Sequence, residues 1–172
     1  MIEKHTYNKL LLQINKDESG FFSIKVNNLE QYKKRPGVWA MWGKNNSNSI
    51  ECLEVAQTRD VFNELDYNLS YLTKDYRKES KNKRYSARRL LVFNKKFDVC
   101  ECDLNRTHAK YRDIASNYSD ICVYLIFDSD KLRAERENIE LKYAIDNKAL
   151  YWNAWGKQRK EAKNYYSIKY FT

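Results

Sequence analysis

Arg35-Pro36-Gly37-Val38-Trp39-Ala40-Met41-Trp42-Gly43, read with Glu51-Cys52-Leu53-Glu54-Val55-Ala56-Gln57-Thr58, decides the fold. A proline and a glycine open the first apolar run, and a glycine closes it. A polar turn from Lys44 to Ser49 separates it from the second run, which ends at Gln57-Thr58. Short apolar runs bounded by turn residues predict two strands joined by a loop.

The period changes after Thr58. Val61, Phe62, Leu65, Leu69 and Leu72 fall on one face of a helix running to about Tyr76. Asp60 caps that helix or sits in its first turn, where a carboxylate favours the positive end of the dipole. Upstream, Tyr7, Leu10, Leu11, Leu12 and Ile14 suggest a helix over residues 5–15. A turn at Asp17 to Gly20, a strand over Phe21 to Val26 and a short helix or loop at Asn28 to Lys34 lead into Pro36. Downstream, Leu90 to Phe93 and Phe97 to Asp103 read as extended. Asn105 to Tyr118 reads as a helix capped by Asn105 or Thr107. Ile121 to Phe127 is apolar on both faces, as a central, covered strand must be. Asp128 or Ser129 then caps a helix to about Asn147. Its apolar positions include Leu132, Ile139, Tyr143 and Ile145, and Arg133, Glu135, Arg136 and Glu137 face water. Tyr165 to Phe171 closes a sheet edge. The expectation is an α/β protein: one small domain with a central mixed sheet flanked by helices.

Length and composition bound the function. A chain of 172 residues holds one domain with a real core. Its hydrophobic content of 42% and aromatic content of 15% argue against disorder. No apolar run is long enough to span a membrane, and the first residues carry no apolar signal core, so a cytoplasmic protein is expected. The cysteines (Cys52, Cys100, Cys102 and Cys122) form no CxxC pair, which argues for reduced thiols rather than a zinc site. His5 and His108 are isolated and read as structural or exposed. No Gly-rich phosphate loop or GxSxG elbow is present.

The net charge of +9 points to nucleic acid. Between Lys74 and Lys96, ten cations meet only Asp75 and Glu79. Lys74, Arg77, Lys78, Lys81, Lys83, Arg84, Arg88 and Arg89 are interleaved with Tyr76, Tyr85 and Phe93. Cations neutralise phosphates and aromatic rings stack on bases, so the stretch suits a surface that tracks a strand. Lys157, Arg159 and Lys160 form a second basic cluster, beyond Tyr151, Trp152 and Trp155. DNA is the expected partner.

The strand pair resembles the tripeptides that name the GIY-YIG nuclease family. Gly37-Val38-Trp39 sits at the first tripeptide, and Glu54-Val55-Ala56-Gln57-Thr58 at the second and its tail. Asp60, Val61 and Leu65 match the start of the family's helix. Ile139-Glu140 and Leu150-Tyr151-Trp152-Asn153 resemble its metal-binding glutamate and closing asparagine. The resemblance implies a domain over residues 36–172, with its core at 36–153 and residues 1–35 as an extension packed on it. It implies a site built from Trp39, Glu54, Glu64, Glu140 and Asn153. It also implies Glu140 as the ligand of Mg²⁺ or Mn²⁺ in an active enzyme, and no cofactor otherwise.

The departures fall on the chemistry. Trp39 and Glu54 stand where the family has tyrosines, Glu64 where it has an arginine and Asn68 where a histidine can follow. One reading is a decayed site, because Glu54, Glu64 and Glu140 in one pocket repel a phosphate unless a cation sits between them. The other is a carboxylate cluster holding divalent metal, with Glu54 as base and Arg59 or Arg88 replacing the arginine. Three functions follow: a nucleic-acid-binding protein on a degenerate nuclease scaffold, a Mg²⁺- or Mn²⁺-dependent DNA endonuclease of restriction or repair type, or a protein-interaction module such as a phage or defence-system inhibitor.

Overall fold

The computed structural model describes residues 9–24, 29–73, 89–91, 95–98, 103, 105–128, 132–153 and 160. In chain order the strands are β1 (Lys9–Lys16), β2 (Phe22–Ser23), β3 (Gly37–Asn45), β4 (Ile50–Thr58), β5 (Arg89–Leu91), β6 (Lys96–Asp98) and β7 (Tyr118–Asp128). The helices are α1 (Val61–Leu72), α2 (Arg106–Asn117) and α3 (Arg133–Asp146), and a 3-10 turn covers Leu29–Tyr32. The main sheet has the order β2-β1-β7-β3-β4, and β5 and β6 form a separate hairpin. Every pairing among the described strands is antiparallel, so the sheet is not mixed as expected. No helix among the described residues is long and apolar enough to cross a membrane.

The sheet separates two apolar layers. On one face Trp39, Met41, Leu53, Ile121, Val123 and Leu125 pack with Val61, Leu65, Leu69 and Leu72 of α1 and with Ala109, Tyr111 and Ile114 of α2. On the other, Val38, Ala40, Val55 and Ile126 pack with Leu141 and Ala144 of α3 and with Trp152. β7 is the middle strand of five, as its two-sided apolar character requires. α1 begins at the predicted cap, where Asp60 Oδ1 accepts from the backbone N–H of Asn63 at 3.0 Å. α2 begins at Asn105, whose Oδ1 accepts from the N–H of His108 at 2.9 Å.

Three expectations are corrected. Residues 9–16 form a strand, not a helix, pairing with β7. Leu12 and Ile14 are buried and alternate with exposed or partly exposed neighbours, and a register shift between Leu10 and Leu12 blurs that alternation in the sequence. Asp128 does not cap α3. It ends β7 and pairs with Arg35 at 3.0 Å, while α3 starts after Leu132 with no side-chain cap. The buried stripe of α3 is Arg136, Glu140, Leu141 and Ala144, and Leu132 is exposed. Charged residues occupy this stripe because it faces a polar cleft rather than the core alone. Residues 165–171 lie outside the described residues.

β3 has neighbours on both sides, and its first residue is a tight fit. A Cβ at Gly37 would lie 2.7 Å from the carbonyl oxygen of Phe127, a backbone atom that cannot turn aside. Gly37→Ala is therefore expected to lower unfolding free energy by about 1–3 kcal/mol, read as a drop in the urea midpoint at unchanged slope.

Candidate functional site

A cleft of about 380 Å³ wraps the β4 edge of the sheet. Glu54, Val55, Ala56 and Gln57 of β4 form its floor. Glu64 and Asn68 of α1, and Arg106, Thr107 and Lys110 of α2, line one side. Arg133, Glu137 and Glu140 of α3, with Trp152 and Asn153, line the other.

A bulge aims Glu54 into this cleft. The β3–β4 register steps from Met41 opposite Glu54 to Trp42 opposite Cys52, leaving Leu53 as the extra residue. Strict alternation from Cys52 would turn Glu54 toward α3. The extra residue turns it toward α2 instead, which is a common use of a bulge beside a site. There Glu54 is 6% exposed. Its Oε1 accepts a short hydrogen bond from Lys110 Nζ, and its Oε2 accepts from the Tyr111 hydroxyl at 2.7 Å. Lys110 is thus the cation that three neighbouring carboxylates require. Glu64 is half-buried, and burial raises its pKa above the ordinary 4.5; Thr58 and Lys110 oppose the shift and Glu54 adds to it. Beneath β4, the Cys52 thiol is pushed up to about 12 by burial and by the charge of Glu54, which leaves it protonated and unreactive.

The segment after α3 closes the cleft. The backbone N–H groups of Leu150 and Tyr151 donate to the carbonyls of Cys52 and Leu53 at 3.0 and 2.7 Å, docking this segment against β4. The Tyr151 hydroxyl donates to Asp113 at 2.6 Å. Trp152 is buried, as packing rather than as an open stacking surface, and its Nε1 donates to Glu140 Oε1 at 2.9 Å. One turn before Glu140, Arg136 Nε donates to Gln57 at 3.3 Å. Arg133 pairs with Glu137 at 2.7 Å.

Of the residues singled out in the sequence, Glu54, Glu64, Glu140 and Asn153 meet in the cleft, and Asn68 joins them. Trp39 does not line it. Its ring is fully buried in the core, and its Nε1 has no hydrogen-bond partner among the described residues. Arg59 is exposed and not among the lining residues. The lining cations are Arg106, Lys110 and Arg133, which the sequence did not single out. Lys110 left one trace, a lysine four residues before Ile114 on the apolar stripe of α2. Lys160 is exposed. Arg89 begins β5. Lys74, Arg77, Lys78, Lys81, Lys83, Arg84, Arg88, Lys157 and Arg159 lie outside the described residues.

Two of the carboxylates that line the cleft already have partners within the chain. Glu54 is already neutralised by an ammonium, Glu140 accepts from an indole, and among the described residues no three acidic, histidine or cysteine side chains converge as ligands. No protein-family model, curated protein or solved structure matches the chain.

Two outcomes test the electrostatics. Lys110→Ala strands a buried carboxylate and should cost about 3–5 kcal/mol, whereas Glu54→Gln with Lys110→Met should cost far less; chemical denaturation separates them. For Glu64 the raised native pKa means that its stabilising contribution is complete below 4.5 and is lost as pH rises through the native value. Subtracting the stability–pH curve of Glu64→Gln from that of the wild type should expose this fall.

Proposed function

We propose that the chain binds nucleic acid, with DNA as the partner, on a scaffold like that of the GIY-YIG nucleases and without their cleavage chemistry. The observation that carries this reading is the Lys110–Glu54–Tyr111 cluster at the cleft floor. A general base needs a lone pair turned to the attacking water. Glu54 is 6% exposed and ion-paired with Lys110, which leaves its oxygens little access to water. Glu140 takes an internal donor. The scaffold half of the reading is supported by convergence, because positions 54, 64, 68, 140 and 153, picked from the resemblance alone, line one cleft. The binding half is supported by the charge of +9 and by the ten cations from Lys74 to Lys96.

Fluorescence anisotropy with duplex and single-stranded DNA across 50 to 300 mM salt tests the binding. Affinity should fall steeply, with a log–log slope of about −0.9 per phosphate contacted on the duplex. Absent or salt-insensitive binding rejects the proposal. In parallel, plasmid DNA incubated with the protein and Mg²⁺ or Mn²⁺ should stay supercoiled. Nicking that disappears in Glu140→Ala would establish the endonuclease instead.

A further inference from the structure

Tyr67 stands apart from the packing of α1. It lies off the buried stripe of Val61, Leu65, Leu69 and Leu72, between the exposed residues Asp66 and Ser70 on the helix surface. It is 51% exposed, the one aromatic ring among the large exposed hydrophobic side chains of the described residues. An aromatic ring on a solvated helix face is not required by the fold.

Its orientation is nevertheless fixed. Tyr67 meets Tyr71, one turn on, edge to face, with ring centroids 5.2 Å apart and planes at 85°. The Tyr71 hydroxyl donates to the Tyr67 hydroxyl at 3.2 Å, and Asn105 Nδ2 donates to Tyr71 at 3.1 Å. Asn105 is itself held as the cap of α2. Tyr71 also leans on His108, with ring centroids 5.4 Å apart. A chain of hydrogen bonds thus runs from the cap of one helix to an exposed ring on another. A ring held in place before binding loses little freedom when a partner arrives.

The ring stands on a helix that lines the cleft. Glu64, one turn back, and Asn68, the next residue, both line it, as do Arg106 and Thr107 immediately after Asn105. Arg106 is exposed and brings a cation to the same rim. A half-open aromatic ring on a helix that also lines a cation-bearing cleft matches an unpaired nucleotide, whose base has a free π-face and whose phosphate carries the charge. Bases inside a continuous duplex already stack on one another and offer no such face.

We propose that Tyr67 is a stacking platform for an unpaired nucleobase, so that the chain prefers nucleic acid with a single-stranded nucleotide to continuous duplex. The inference rests on the nucleic-acid-binding reading above.

The test compares the full chain with Tyr67→Ala and Tyr67→Phe, each shown to be folded by circular dichroism. The probes are a continuous duplex, the same duplex with a single-stranded overhang, and the overhang strand alone, with 2-aminopurine in the overhang. The wild type should bind the single-stranded probes more tightly than the duplex and quench 2-aminopurine. Tyr67→Ala should weaken those probes about tenfold, leave the duplex unchanged and abolish the quenching. Tyr67→Phe, which keeps the ring and its edge-to-face contact but not the hydroxyl that accepts from Tyr71, should keep the single-strand preference and the quenching. Equal losses on all probes, or no loss in Tyr67→Ala, overturn the platform while leaving nucleic-acid binding intact. Failure of the folded wild type to bind any probe overturns both.

Discussion

The burial of one carboxylate, Glu54, organises the region where strand, helices and C-terminal segment meet. A carboxylate held away from water needs both a counter-charge and hydrogen bonds. Consecutive residues of α2, Lys110 and Tyr111, supply them. That requirement fixes α2 against β4 more narrowly than its apolar contacts do, because charge-assisted hydrogen bonds have short range and a preferred direction. With α2 placed, its first turn falls at the rim, and Asn105 comes within reach of Tyr71. The placement of the cleft and of the exposed ring on α1 therefore shares a cause.

The parts of the fold that announce themselves locally were legible in the sequence. Pro36 and Gly37 opened the first strand of the hairpin, Asp60 and Asn105 began helices, and the two-sided apolar run at Ile121 marked the middle strand. Features set at long range were not. Nothing near Leu53 signals the bulge, and without it Glu54 would point to the other layer. Nothing in local spacing joins Lys110 to Glu54. The first strand was hidden because its irregular register spoils the two-residue alternation by which strands are recognised. Arg136 read as water-facing because charge on a helix usually does. Here it is buried and donates to Gln57, one turn before Glu140, which accepts from Trp152.

The cleft is polar but not uniformly charged. Its carboxylates and cations are interleaved across three helices and one strand, and several are paired with one another. Such a surface places hydrogen-bonding groups in fixed positions without concentrating one sign of charge. The excess positive charge of the chain resides largely elsewhere in the sequence, between Lys74 and Lys96. On the nucleic-acid-binding reading proposed above, long-range charge would govern encounter and short-range geometry fit.

The backbone bonds from Leu150 and Tyr151 to Cys52 and Leu53 have a consequence beyond shaping the cleft. They occupy part of the outer edge of β4, where unsatisfied amides and carbonyls would otherwise invite a strand from another molecule. The same short segment carries Trp152 to Glu140. Colloidal behaviour and site integrity are thus tied to one piece of chain. A substitution that loosens the wall of the cleft also uncovers a template for self-association.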